Sequence, residues 1–543
     1  MKNKRKSWMI ALAIIFVFTM ALSGCSGSNN GGNNAPASTE PANNAATAKP
    51  TDAAEGDKTK PDPNKKYHIS FARSHVVPPD KDGELLKYFG EKFNVEFDSW
   101  NIESSKWHEI LNLKFASREI PDYMDVKGFE TLQKYVKQDL LAEIPVDMLK
   151  EYAPFIYEEF LEAAIPNALK YGTIDGKVYG IPIPNQVRYR KPTVWRGDWL
   201  TNVGIDKAPE TFAEFEEAMY KFANEDPNQS GKKDTYGLSQ TGMQAVYGAF
   251  GYLPLIWQEK DGNLVYGSVQ PEMKEALATL SKWYKDGVLD PEFITGENQG
   301  GYYAFSHAFM NNRIGFTSLG DYYHWKPLTY EGDSKSEVYL ELQKVNPQAL
   351  ETLIHGVPPK GENGAMGVPA PNEVNGNFIG FGKHLENEPD KLAKILQILN
   401  AQSEDYEDYI TSIFGIKGKH WDYDPNNGFP GFINGNDSKT VAQMGLVSGL
   451  EARIWTIKRA QPRIDWARDN HFDVGGISNA LLSPLPSDGK YKEELKKIEE
   501  EAFIHIISGD KPVDYFDEFV EKWKKAGGSQ LEKEANEWYQ SIN

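Results

Sequence analysis

Between Asp226 and Gly237 the chain sets oxygen-bearing side chains at alternate positions: Asp226, Asn228, Ser230 and Asp234, with Gly231 in mid-loop. Calcium takes six to eight hard oxygens at varied angles, and a loop whose alternate side chains turn inward around a central glycine supplies them. Lys232, at the seventh position, adds a backbone carbonyl. The twelfth position, where such loops carry a bidentate glutamate, is Gly237, and Thr235 offers only a hydroxyl or a carbonyl. The segment therefore reads either as a structural calcium site or as a polar Asx-turn that ends a helix.

Aromatic residues are the second chemical feature. Phe, Trp and Tyr make up 12% of the chain, and many stand in polar, glycine-rich stretches instead of apolar periodic ones. Trp100, Tyr189, Trp195, the run Asp321-Tyr322-Tyr323-His324-Trp325, Trp421, Tyr423 and Trp455 are examples. An aromatic face packs on the C–H face of a sugar ring, while polar neighbours such as Arg196 and Asp321 bond its hydroxyls. Any one of these rings reads equally well as core. The 321–325 run is the strongest candidate, because five consecutive large side chains cannot all face one core.

Sequence motifs for catalysis are missing. There is no G-x-S-x-G, no H-E-x-x-H, no phosphate-loop motif and no G-x-G-x-x-G after a strand. The ten histidines are scattered, and one cysteine allows neither a disulfide frame nor a thiolate metal site. A glycosidase needs only two nearby carboxylates, which 78 acidic residues supply somewhere, so motif absence leaves a glycan-degrading enzyme open. A formal charge of −19 argues against nucleic acid, whose phosphates call for clustered cations.

The elements that must position these groups follow from periodicity. Residues 67–71 alternate as a strand, 80–93 read as a helix, 95–97 as a strand, 104–117 as a helix and 121–126 as a third strand. That order in about 60 residues predicts a parallel, doubly wound α/β lobe. Further helices are expected at 212–224, 271–286, 389–401 and 490–507, and a strand at 377–382. Asp175-Gly176 carries the positive-φ chemistry of a tight hairpin, followed by an extended segment through 187–195. The ordered part exceeds what one core usually supports, so at least two domains are expected.

At the amino terminus, Lys2, Lys4, Arg5 and Lys6 precede an apolar run from Met9 to Leu22 that suits a signal peptide better than a membrane span. Leu22-Ser23-Gly24-Cys25 resembles the bacterial lipobox, which implies diacylglycerol on the Cys25 thiol and cleavage before it. Without the four cations of residues 1–24, the remaining chain sits near −23. From Ser26 to about Lys60 the composition is Gly, Asn, Ala, Pro, Ser and Thr without an aliphatic run, the signature of a flexible tether. A tether of this kind suits a thick-walled, single-membrane bacterium.

Several stretches, in order, resemble one family. They are Cys25 with its tether, Ala116-Ser-Arg-Glu-Ile-Pro-Asp122, Gly176-Lys-Val-Tyr-Gly-Ile-Pro182 and Trp195-Arg-Gly-Asp-Trp-Leu200. Pro209-Glu-Thr-Phe-Ala-Glu-Phe215, the 226–237 loop and Phe414-Gly-Ile-Lys-Gly-Lys-His-Trp421 complete the series. Together they resemble the family 1 extracellular solute-binding lipoproteins of ABC sugar importers, in particular the large alginate-oligosaccharide-binding type. The resemblance implies a two-lobed α/β fold of the periplasmic-binding-protein type (class II), closing over a ligand in the cleft. It places the first crossing between lobes at 189–195 and the second at 375–381. It also implies calcium on Asp226, Asn228, Ser230, the Lys232 carbonyl and Asp234, although Thr235 stands where the family often has Glu. Trp325 and Trp455 become the stacking residues.

The expected organisation is a signal peptide at 1–24, a lipidated tether at 25–63, a first lobe from 64–188 and 375–415, and a second from 189–374 and 416–543. The expected function is capture of an oligosaccharide at the outer face of the cell membrane and delivery to ABC permease subunits. The protein is expected to be a monomer and not an enzyme, with contact to the membrane through lipid only. A surface lyase or glycosidase and a peptide- or signal-binding lipoprotein are the alternatives.

Overall fold

The computed structural model describes residues 59–74, 80, 82–100, 102–298, 302–328, 336–426, 428–445 and 450–542. The signal peptide, Cys25 and most of the tether lie outside the described residues. The chain already meets the body at the end of the expected tether, where the Thr59 hydroxyl lies 3.4 Å from that of Tyr152 and the Asp62 amide donates to the Tyr67 hydroxyl.

The first sheet grows from the predicted strand–helix–strand alternation. Strands Tyr67–Ala72, Val95–Ser99 and Tyr123–Lys127 pair in parallel, with Tyr67 opposite Val95 and Phe71 opposite Tyr123. The helix Glu84–Phe93 buries Leu85, Leu86 and Phe89, and stops where Asn94 turns left-handed at φ 53°. Two further strands, Val374–Phe381 and Ile181–Pro184, extend the sheet in antiparallel fashion. The register slips between Val374 and Phe378, a stretch holding Gly376 at φ 80°. The hairpin before this edge turns through Asp175 at φ 51° and Gly176 at φ 78°, as its sequence requires.

The second sheet orders Leu353–His355, Val194–Arg196, Ile314–Thr317 and Tyr236–Leu238. Its core centres on Trp195, which touches Phe215, Phe222 and Phe316. The helix Phe212–Asn224 packs here and covers the residues its periodicity predicted. Thr211 and Glu214 close a reciprocal cap at its start, a T-x-x-E pattern legible in the sequence.

Three segments run side by side between the two sheets. Residues 185–193 leave the first sheet for the second, 356–373 return, and 472–479 pass beside both. The Lys191 amide donates to the Pro369 carbonyl, the Arg190 amide to that of Phe472, and Val368–Pro369 pairs in parallel with Gly476–Ile477. The expected second crossing at 375–381 is thus corrected: that stretch is already an interior strand of the first sheet, and the crossing precedes it. The third crossing has no counterpart in the sequence reading.

Hydrophobic cores follow the sheets and not the expected boundary at 416. Val441, Leu450 and Ala452 belong to the first core, whereas residues from Leu481 to Ala535 belong to the second. Between them lies the helix Arg453–Asp469, broken at Ala460 (φ −124°, ψ 25°) two residues before Pro462. Trp455 at its start packs on the first core, and Trp466 near its end packs on His355 and Phe472. One bent helix therefore reaches both lobes.

Candidate ligand-binding cleft

In open α/β sheets, ligands settle beyond the carboxyl ends of the strands, where loops diverge. Arg73 and Ser74 leave the first strand at that end, and Asp125 and Lys127 occupy the end of the third. Arg73 Nε donates to Asp125 Oδ1 at 3.1 Å, the Ser74 amide to Asp125 Oδ2 at 2.8 Å, and Lys127 Nζ to Ser74 Oγ at 2.5 Å. These groups line a cavity of about 610 Å³, whose walls include Asn185 and Gln186 at the start of one crossing and Asn375 beside another. Phe160 and Phe378 give it apolar faces, Thr456 closes it from the bent helix, and Glu451 does so from the stretch just before that helix. Hydroxyl-rich ligands suit such a mixture of amides, charges and rings.

Two aromatic groups flank the bent helix. On the first-lobe side Trp455 stacks on Phe155 (6.1 Å, 22°) and meets Tyr406 at 5.0 Å, its indole donating to the Ser403 carbonyl at 2.6 Å. On the second-lobe side Tyr189 meets Tyr322 edge-on at 4.9 Å, and its hydroxyl reaches the Ile464 carbonyl on the bent helix. Tyr323 donates to Asp321, which also pairs with Lys191 at 2.6 Å. Burial, the largest influence, pushes the Asp321 carboxyl up, but the Lys191 ammonium and the Tyr323 hydroxyl outweigh it and hold it below its ordinary range. Burial also raises the Tyr322 hydroxyl to about 12, so it remains a donor at any physiological pH.

Three of the residues selected from the sequence are corrected. Trp195 is 0% exposed at the centre of the second core and offers no face to a ligand. Trp325 is also enclosed, donating to the Leu319 carbonyl with its edge on Phe309. Arg196 is locked by Asp198 and Asn312 beneath the second sheet. Both tryptophans belong to hydrophobic clusters, and composition alone did not distinguish either from a surface ring. Trp100 is half-buried under Lys114, whose ammonium sits 4.3 Å from the ring centroid. Tyr189, Asp321, Tyr322, Tyr323 and Trp455 remain beside the bent helix. Arg73, Asp125, Lys127, Asn185 and Glu451 were missed; the only signal of the first four is a position in or just past a strand, and Glu451, just ahead of the bent helix, has none.

The 226–234 loop is separate from this cleft. Its polar side chains converge: Ser230 Oγ donates to Asp234 Oδ1 at 3.0 Å and lies 3.5 Å from Asp226 Oδ1. Backbone amides of Ser230 and Gly231 bind the Asp226 carboxylate at 3.0 and 2.9 Å, and Gly231 supplies φ 72°. Asn228 contributes its amide to the same cluster, donating to Asp234 at 3.1 Å. Thr235 points elsewhere, its hydroxyl capping the Phe222 carbonyl at 2.8 Å in the protein interior. The loop thus gathers four oxygen-bearing side chains, two of them carboxylates, that bond to one another and to backbone amides, with no acidic group at the closing position.

Residues 84–380 match the family described as bacterial extracellular solute-binding protein, and the chain belongs to it. It is 26% identical over 510 residues to the polygalacturonan/rhamnogalacturonan-binding protein YtcQ of Bacillus subtilis (strain 168), covering 89% of this chain and 93% of that one. Lipoprotein LipO of the same organism is 24% identical, over 86% and 90% of the two chains. Among solved structures, an HMO-binding, ABC-transporter-associated solute-binding protein from Bifidobacterium longum infantis superposes with a TM-score of 0.59 at 13% identity, covering 88% of this chain and 99% of that one. The alginate-binding protein AlgQ2 does so at 0.53 and 19%, covering 88% and 98%. These likenesses establish the two-lobed fold.

Proposed function

We propose that this solute-binding protein captures an oligosaccharide between its lobes outside the cell and presents it to the permease subunits of an ATP-driven importer. The observation that carries the reading is the cavity at the strand ends, walled by amides, paired charges and rings, and closed by a helix that also meets tyrosines of the second lobe. A sugar bridging those two sets of groups contacts both lobes at once and so favours their closed arrangement. The binding of polygalacturonan and rhamnogalacturonan by the relative YtcQ supports a carbohydrate cargo. The groups of the cleft serve binding and not bond cleavage: they bond to one another and to hydroxyls, and ATP hydrolysis belongs to the transporter. Lipidation at Cys25 would keep the protein near its permease and raise the frequency of encounter.

Calcium completes this reading in a structural role. Asp226, Asn228, Ser230, Asp234 and the Lys232 carbonyl would hold it, with water at the position that lacks a glutamate. When bound it supplies only charge neutralisation and coordination that pin the loop between helix Phe212–Asn224 and strand Tyr236–Leu238.

Thermal unfolding against plant, algal and milk oligosaccharides, with calcium or with chelator, tests both parts. A cognate sugar should raise the midpoint and be recovered intact by chromatography, and chelator should lower the midpoint of the free protein. Release of shorter products would refute the binding-only reading, and a midpoint indifferent to chelator would remove calcium.

A further inference from the structure

The rings of the second lobe continue past the cleft. Tyr189 follows closely on Val187, a wall residue of the cavity, and meets Tyr322. From Tyr322 the ring contacts run on through Tyr323 at 5.3 Å, His324 at 4.4 Å, Tyr303 at 5.5 Å and Tyr302 at 4.5 Å. Exposure changes along this row. Tyr189, Tyr322 and Tyr323 are half-buried and His324 is buried, whereas Tyr302 is 39% and Tyr303 55% exposed. The other exposed aromatics among the described residues are Tyr88 and Phe432, and each packs on a ring more covered than itself. Tyr302 and Tyr303 are the one pair that meets water side by side.

Their surroundings hold these rings without covering them. The Asp321 amide donates to His324 Nδ1 at 2.8 Å, so the neutral imidazole keeps its proton on Nε2, which lies 3.3 Å from the Tyr303 hydroxyl oxygen. Tyr323 donates to Asp321, which pairs with Lys191 on the crossing segment. Tyr302 leans on Phe305 at 5.1 Å. The polar ends are thus tied back toward the crossing while the apolar bodies stay in water. Folding gains little from a large ring left in water, but a ring ordered in advance spares a ligand the cost of fixing it. Tyrosine suits that use, since it offers a rigid apolar face beside a hydroxyl.

We propose that Tyr302 and Tyr303 form an outer sugar subsite, reached by a ligand chain that leaves the cavity and follows the row of rings. The strand-end cavity of about 610 Å³ takes one end of the oligosaccharide, and the tyrosine pair stacks on a sugar ring further along. Chain length then sets affinity together with sugar type, and the two tyrosines are the residues that read it. The assignment rests on the oligosaccharide-binding reading above.

The test is calorimetry of the full chain with size-fractionated oligosaccharides of galacturonan, xylan and milk type, from disaccharides upward. In the series that binds, affinity should rise with length and then level off. Replacing both residues, Tyr302→Ala with Tyr303→Ala, should weaken the longer members by roughly tenfold or more and leave the shortest binding member unchanged. Tyr303→Phe, which keeps the ring, should retain most of the gain with length. The melting midpoint of the free double variant should match that of the parent, because the rings are exposed. Equal affinity at all lengths in the parent overturns the subsite while sugar binding stands. So does a double variant that keeps the parent's length dependence, or one that loses affinity equally at every length. Failure of every series to bind overturns the oligosaccharide reading itself, and the subsite with it.

Discussion

Arg190 ties the three interlobe segments together, and its replacement should uncouple them. The side chain is 1% exposed, and all three of its nitrogens donate. Nε donates to the Val474 carbonyl at 2.6 Å; one terminal nitrogen donates to Lys191 O and Thr193 Oγ; the other donates to Gly356 O at 2.7 Å and His471 O at 3.1 Å. These acceptors come from all three crossings. No carboxylate among the described residues accepts from it, and burial pulls the guanidinium below its ordinary range, so the charge is held by carbonyl dipoles and by the Phe472 ring 5.4 Å away. Arg190→Met would strand the carbonyls of Val474, Lys191 and His471. An unsatisfied buried polar group costs about 1–3 kcal/mol, partly offset by no longer burying a charge, so a net loss of about 3–5 kcal/mol is expected. Arg190→Lys, with three donors on a shorter reach, should lose about half of that. Urea unfolding followed by tryptophan fluorescence measures both. Because the knot joins the lobes, the Met variant should also unfold in two steps where the parent unfolds in one. A Met variant within about 1 kcal/mol of the parent, unfolding in a single step, would refute the claim that this guanidinium holds the hinge.

Two further outcomes follow from buried groups in the second lobe. Glu499 is buried against Tyr266 and Ser268, and burial pushes its carboxyl from an ordinary 4.5 to about 7. With the folded value raised, the unfolded chain releases its proton first, so stability falls as pH rises from 4.5 to about 7 and is level above that. At about 1.4 kcal/mol per pH unit the limit is about 3 kcal/mol, and Glu499→Gln should match the parent near pH 4.5 and exceed it by about 1–3 kcal/mol at about pH 8; denaturation at the two pH values decides it, and an equal difference at both would count against the assignment. Trp195→Ala should cost about 3–5 kcal/mol by opening a cavity among Phe215, Phe222 and Phe316, with ligand selectivity unaltered in calorimetry at low temperature. A changed preference among sugars would return Trp195 to the binding site.

Legibility in the sequence followed the physics of each signal. The helix Phe212–Asn224 was read to the residue, and its reciprocal cap fixes the same start; the first strand was read from its alternation, and the next two from their place between helices. The third crossing was not, since Gly476–Ile477 is a two-residue pairing whose partner lies more than a hundred positions earlier. Aromatic content misled at Trp195 and Trp325, because a ring that suits a sugar face suits a core equally well. The polar groups of the cavity escaped for the opposite reason: Arg73, Lys127 and Asn185 carry no periodicity, and only the sheet order shows that they meet.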